Sequence, residues 1–407
     1  MQSSYVYDTS DRAPAYEGAQ TVNANLVLEG GAMRGQFTAG VLDFFMDQNL
    51  WCEHVIGTSA GALNGYNYVA GELGRTCFLN TKYCDDPRYL SMKNFVRTGD
   101  ALGRDFAFHE IPETLEPFNF KAFRESPMEL TTVASDLETG EADYHVMETA
   151  DDERDIEYLR ASASMPLVSH IVELDGKKLL DGGPCDSIPL LHSMLMGNTD
   201  KHIVVLTQDS TFVKGPNKTM PLIKRIYSDY PRFVDRVEYR HFEYNRCYRW
   251  IKRLHDEGKI FMIQPSEPVT VSSMERDADK LFALYEQGLR VAAENWNALQ
   301  EYLENNRSIS SAEAPAPMQP PMLFPRAWAY ISQEALLAFR ATSHAEFASK
   351  MDPLVIDVQP IGLRVDFHEL RLNLFGRIVV ARRKPQLMGG IHAYRRRCPE
   401  GLETPGT

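Results

Sequence analysis

Short apolar runs alternate with amphipathic stretches from Leu26 to about Leu206, an alternation that predicts a largely parallel sheet with helices on both faces. Leu26-Val27-Leu28, Val55-Ile56, Leu130 to Val133 and Ile203 to Leu206 are the strand candidates, mostly apolar as expected of strands buried on both faces. Phe37, Val41, Leu42, Phe44 and Phe45 follow the first run at helical spacing, and Ala60, Ala62, Leu63, Tyr66 and Val69 follow the second. Asp175-Gly176 separates two short candidate strands and predicts a hairpin turn. Phe261-Met262-Ile263 reads as a late strand, and Ala278 to Leu303 as a closing amphipathic helix. Residues 305–325 are rich in proline and alanine and read as a linker. The expected organisation is a polar tail over 1–23, an α/β domain over 24–304, the linker, and an extension over 326–407 whose fold the pattern does not assign.

Composition narrows the picture. With 407 residues, 43% of them hydrophobic, the chain can bury one large α/β core and have residues left over. A net charge of −13 argues against a general nucleic-acid binder. The balance is uneven: residues 305–407 hold 13 Lys/Arg and 9 Asp/Glu, so +4 lies there and −17 before it. Inside the acidic part, residues 211–260 reverse the sign, with twelve Lys/Arg, six Asp/Glu and nine aromatics. A basic, aromatic, helical stretch can lie on an anionic lipid surface. The same periodicity serves soluble enzymes, where the aromatics pack as core and the charges form a solvated face. Six cysteines without paired metal spacing suggest reduced thiols. Residues 1–22 lack a basic start and an apolar core, and no run is long enough to cross a membrane, so a cytoplasmic protein reaching lipid from the water side is expected. No metal or cofactor is expected.

The candidate chemistry sits at the ends of the apolar runs. Val55-Ile56 leads into Gly57-Thr58-Ser59-Ala60-Gly61, a Gly-x-Ser-x-Gly pattern. Glycines two residues either side of a serine allow a sharp strand-to-helix turn that lifts the hydroxyl out of the sheet. The positive end of the following helix favours an alkoxide there, so Ser59 is the candidate nucleophile. Upstream, Leu26-Val27-Leu28 leads into Glu29-Gly30-Gly31-Ala32-Met33-Arg34-Gly35, a loop that can present backbone N–H groups to an anion. Alanine in the middle of Gly30-x-Ala32-x-x-Gly35, and the lack of a following Lys-Ser/Thr pair, disfavour a nucleotide loop. An oxyanion hole for acyl chemistry fits better. Downstream, the second strand of the predicted hairpin delivers Asp181 into Asp181-Gly182-Gly183, which taken alone is an ordinary turn signal.

Together the three pieces resemble the patatin-like phospholipases. Those enzymes carry a glycine-rich oxyanion motif, a Gly-x-Ser-x-Gly elbow and an Asp-Gly-Gly/Ala motif in this order, here with 28 residues from Gly31 to Ser59 and 122 from Ser59 to Asp181. Ala134 to Gly140, Ala161 to Pro166 and Ser187 to Leu190 are similar as well, and the likeness covers roughly residues 24–304. The resemblance implies a three-layer α/β/α fold and a Ser59–Asp181 dyad that cleaves fatty-acyl esters of phospholipids or related lipids through an acyl-enzyme. It implies an oxyanion hole over Gly30, Gly31, Ala32, Met33, Arg34 and Gly35, with Arg34 either steering a lipid phosphate or bracing the loop. One departure is Ala32, where relatives have a third glycine; a left-handed alanine is strained by about 1 kcal/mol. A Ser-Asp-His hydrolase using His202 is the enzymatic alternative, and a non-catalytic lipid-binding protein the other. Residues 85–119 are less regular and read either as a lid or, better, as a surface insertion.

Overall fold

A computed structural model of the chain describes Tyr16, residues 19–304, and the backbone of four short strands between 355 and 379. The chain divides into two units, residues 1–313 and 314–407. In the first, the run at Leu26 becomes the middle of an eight-stranded sheet. β1 (Val22–Leu28) lies parallel to β2 (Cys52–Thr58) on one side and to β7 (His202–Val205) on the other. β3 (Glu129–Asp136) extends the parallel set past β2, and β8 (Phe261–Ile263) past β7. β4 (Ala142–Met147) returns antiparallel along β3. The predicted hairpin is β5 (Val172–Leu174) and β6 (Lys177–Asp181), joined antiparallel to the end of β3. Its turn residues Asp175 and Gly176 have φ of 52° and 75°, the positive values a tight primed turn demands.

Side-chain alternation along these strands divides the core in two. Leu26, Leu28, Val55, Ile203 and Val205 face one helical layer, built from α1 (Gly35–Asp47), α2 (Ala60–Val69), α3 (Arg75–Tyr83) and α10 (Ala278–Glu304). Between α3 and β3 run α4 (Met92–Thr98), a π-helical stretch Phe106–Leu115 that contains Pro112, and α5 (Phe120–Glu125). α6 (Glu153–Ser162) packs Tyr158 and Ala161 against Ala134 and Leu179 of the sheet. Val27, Ile56, Val133 and Val204 face the other layer, with α7 (Leu190–Leu195) and the long α9 (Pro231–Asp256). α8 (Met220–Ile226) and the start of α9 cover Leu137 and Leu180 through Ile223, Phe233 and Val237. The aromatics of 211–260 therefore serve largely as core, although Tyr239 and Phe242 remain exposed.

Where α1 crosses α10 the backbones touch. A methyl on Gly40 would stand 2.1 Å from the Tyr285 carbonyl oxygen, and one on Gly288 would stand 2.2 Å from that of Phe37. Only glycine allows this approach. The expected N-terminal tail also needs amendment: β1 starts at Val22, and Tyr16 is buried, its ring edge-on to Trp51 and its hydroxyl donating to the Ala122 carbonyl. An apolar residue in that polar stretch had a place in the core. In the second unit, β9 (Val355–Val358) pairs antiparallel with β10 (Leu363–Asp366), and β11 (Arg371–Leu372) with β12 (Ile378–Val379). The linker over 305–325 lies outside the described residues. Among the described residues no helix is long and apolar enough to cross a membrane.

Candidate active site

Strand register brings Ser59 and Asp181 together. The last pair between β2 and β3 is Thr58 with Val133, and the first between β6 and β3 is Asp181 with Ala134. β6 thus takes up the edge of β3 where β2 leaves it, and its last residue meets the residue after β2. The register sets Ser59 beside the buried Asp181 carboxylate, close enough for the serine side chain to favour its ionised form. Ser59 has φ 56° and ψ −121°, a left-handed backbone that a serine adopts only where its surroundings enforce it. The flanking glycines enforce it by contact. A methyl on Gly57 would stand 2.4 Å from the Gly61 backbone, and one on Gly61 2.4 Å from the Leu28 carbonyl oxygen.

Three serines hold this geometry. The Ser162 hydroxyl accepts from the Ser59 N–H at 2.9 Å and donates to the Val133 carbonyl at 2.6 Å, bridging elbow and sheet. Ser135 Oγ donates to the Asp181 carbonyl at 2.7 Å, and the Asp181 N–H donates to the Ser164 carbonyl at 2.7 Å. Asp181 Oδ1 also accepts the Gly183 N–H at 2.7 Å. Burial raises the Asp181 carboxyl above its ordinary range, while the Ser59 hydroxyl, Arg240 and the Gly183 N–H pull it back. Nothing in the residues around Ser162 announces this role, because a bridge from α6 to the elbow depends on tertiary placement.

In the glycine-rich loop, Ala32 has φ 48°, so the strain expected of a Cβ at that position is present. The Gly30 N–H donates to the Ser187 carbonyl at 3.3 Å, the Met33 N–H reaches the Ser273 carbonyl at 3.5 Å, and the Arg34 N–H donates to the Gly31 carbonyl at 3.1 Å. The Gly35 N–H points back to the Ala32 and Met33 carbonyls. Among the described residues, Gly31 and Ala32 are the loop positions whose N–H groups have no such partner. Arg34 donates to Ser273 Oγ at 3.0 Å, which fits bracing.

A cavity of about 130 Å³ runs from Ser59 and Ala32 between α2 and the 85–119 segment. Tyr89, Leu90, Leu102, Phe108 and Ile111 form one wall of it. That segment is therefore a wall of the site and not the surface insertion its mixed composition suggested: Phe108 and Ile111 are turned inward by the π-helical stretch and buried.

His202 lies elsewhere. It starts β7, paired with Asn25 at the N-terminal edge of the parallel strands, whereas Ser59 follows the C-terminal edge of β2. Its Nδ1 meets Ser193 Oγ at 2.9 Å, and burial lowers its pKa to about 4. His170 contacts the Thr98 carbonyl. The His202 alternative fails on this topology.

Two family models match the chain: patatin-like phospholipase over residues 26–193, and a domain of unknown function, DUF6363, over residues 230–304. The first contains Ser59, Asp181 and the glycine-rich loop; the second covers all of α9 and α10. The uncharacterized protein YjjU of Escherichia coli (strain K12) is 26% identical over 257 residues, 60% of this chain and 69% of that protein. VipD from Legionella pneumophila aligns with a TM-score of 0.35 and 11% identity, over 68% of this chain and 67% of that one.

Proposed function

We propose that this chain, whose residues 26–193 belong to the patatin-like phospholipase family, is a serine lipid acyl hydrolase working through a Ser59–Asp181 dyad. The observation that carries the proposal is the strained Ser59 backbone, held by strand register beside the buried Asp181 carboxylate. As Ser59 Oγ bonds to the ester carbonyl carbon, Asp181 accepts its proton and negative charge moves to the carbonyl oxygen. The Gly31 and Ala32 N–H groups, uncommitted in the loop, stabilise that oxyanion. Collapse breaks the ester C–O bond, the proton passes to the departing alcohol, and an acyl-Ser59 remains. A water deprotonated by Asp181 then attacks the acyl-enzyme and frees the fatty acid. The apolar cavity beside Ser59 takes the acyl chain.

Contact with an anionic membrane through residues 211–260 belongs to the same reading. Exposed Leu222, Ile226, Tyr239 and Phe242 stand among Lys218, Lys224 and Arg232, the mix that seats a helix at a lipid interface. Vesicle binding then weakens as salt rises, and salt-independent binding counts against it. The test of mechanism is substitution. Asp181→Asn removes proton acceptance while preserving shape, so turnover of lipid esters falls by about 10²–10⁴-fold, and a fluorophosphonate labels the parent but not Ser59→Ala. A mild Asp181→Asn effect beside loss of turnover in a folded His202 variant overturns the dyad.

A further inference from the structure

Lys214, Arg240 and Arg34 gather beside the dyad without an ion-pair partner. Each is close enough to influence the others and Glu29, and Lys214 and Arg240 also act on Asp181, yet among the described residues none lies within 4.0 Å of a carboxylate oxygen. Glu29 is already committed: its carboxylate accepts the Thr207 N–H at 2.6 Å and the Tyr244 hydroxyl at 2.7 Å. The Asp181 carboxylate accepts the Gly183 N–H, and the Ser59 side chain favours its ionised form.

The three cations are held in place by neutral groups. Arg240 Nε and Nη2 donate to Ser187 Oγ at 3.2 and 3.1 Å, and Ser187 in turn holds the Gly183 carbonyl and the Gly30 N–H. Lys214 is pinned at its backbone by Asn245 in both directions at 2.9 Å, and its ammonium lies 4.6 Å from the Tyr244 ring centre. Arg34 rests on Ser273. Glycine keeps the space between Arg240 and Asp181 open: a methyl on Gly183 would stand 2.4 Å from Arg240 Nη2 and 2.9 Å from Asp181 Oδ1. Burial, with Arg240 and Arg34 nearby, lowers Lys214 to about 7, the condition of a cation group lacking its anion.

We propose that Lys214 and Arg240 form a phosphate subsite beside Ser59, so that the ester hydrolysed is that of a phosphate-bearing glycerolipid and not a neutral acylglycerol. A guanidinium fork and an ammonium together match the several oxygens of a phosphate. In a glycerophospholipid the phosphate and an acyl ester sit on adjacent glycerol carbons, so one ligand reaches both the subsite and the serine. Lys214 and Arg240 lie after residue 193, outside the patatin-like match, and Arg240 falls within the second matched segment. Headgroup recognition is thereby supplied from beyond the patatin-like match. The substrate assignment rests on the hydrolase reading; the anion site does not.

The test uses full-length Ser59→Ala titrated with monomeric dihexanoylphosphatidic acid, dihexanoylglycerol and inorganic phosphate. Phosphatidic acid should bind at least about tenfold more tightly than the neutral diacylglycerol. That ratio should drop below about threefold when Lys214→Met or Arg240→Met is added, and survive Lys214→Arg. Should one methionine variant fail to fold, the other and the Lys214→Arg comparison still decide. Equal binding of the two lipids, or a ratio untouched by both methionine substitutions, overturns the subsite. Inorganic phosphate binding as tightly as phosphatidic acid assigns the site to a free anion and overturns the substrate class. If the phosphate preference holds but the Ser59 protein turns over neither lipid, the hydrolase reading fails and the anion site stands.

Discussion

Replacing Gly61 and Gly65 by alanine, one at a time, separates the elbow's steric demand from the helix's general preference. Both glycines lie in α2 and both are buried, so each alanine gains about 1 kcal/mol of helix propensity. Their neighbours differ. A methyl on Gly61 would stand 2.4 Å from the Leu28 carbonyl oxygen, 2.8 Å from its carbon and 3.0 Å from the Glu29 oxygen, all backbone. Ordinary contact begins near 3.4 Å, so α2 would have to move about 1 Å away from the end of β1. On Gly65 the nearest atoms are side-chain ends, Leu130 Cδ1 at 2.9 Å and Val55 Cγ1 at 3.0 Å, which can give. Overpacking runs at about 1–3 kcal/mol, and a rigid backbone puts Gly61→Ala at or beyond the upper end. Gly65→Ala should remain within about 1 kcal/mol of the parent, because propensity offsets crowding. Urea unfolding of the three proteins measures the difference, and ester turnover of the folded fraction should drop in Gly61→Ala alone. A Gly61→Ala protein as stable and active as the parent, or a Gly65→Ala protein worse than it, would falsify the claim that backbone contact shapes this turn.

Two further outcomes are expected. Burial raises Asp181, and it must be ionised to accept a proton, so kcat/KM should rise with pH along an acid limb lying above the ~3.9 of a free aspartate. Removing the cation beside it in Arg240→Met should shift that limb to higher pH, and a shift in the other direction contradicts the placement. A chain ending at residue 313, the limit of the first unit, should fold and keep ester hydrolysis; loss of soluble protein would show that the later residues complete the core.

The elements were legible because their signals are local. Each strand named from its apolar run is present, and α1, α2, the Asp175-Gly176 hairpin and the closing helix stand where periodicity and turn chemistry put them. The meeting of Ser59 with Asp181 was legible only through the order of three motifs, since its physical cause is a register, β6 succeeding β2 along the edge of β3. What stayed hidden depends on contacts between distant segments. Ser162 serves the elbow from α6, and Phe108 and Ile111 turn a polar-looking insertion into a wall of the cavity. Lys214 and Arg240 looked like part of a solvated basic face until the fold carried them beside Asp181.

The crossing of Gly40 and Gly288 bears on what evolution can treat as a module. One glycine belongs to the patatin-like match and the other to the segment of unknown function, yet each fills a notch shaped for the other's backbone. A gene that retained the first segment and exchanged the second for an unrelated helix would need a hydrogen at the same crossing point, because any larger substituent meets a carbonyl oxygen. Residues 194–229 are thus a poor site for recombination despite lying between two separate matches, and the two segments should be inherited, lost and diversified as one.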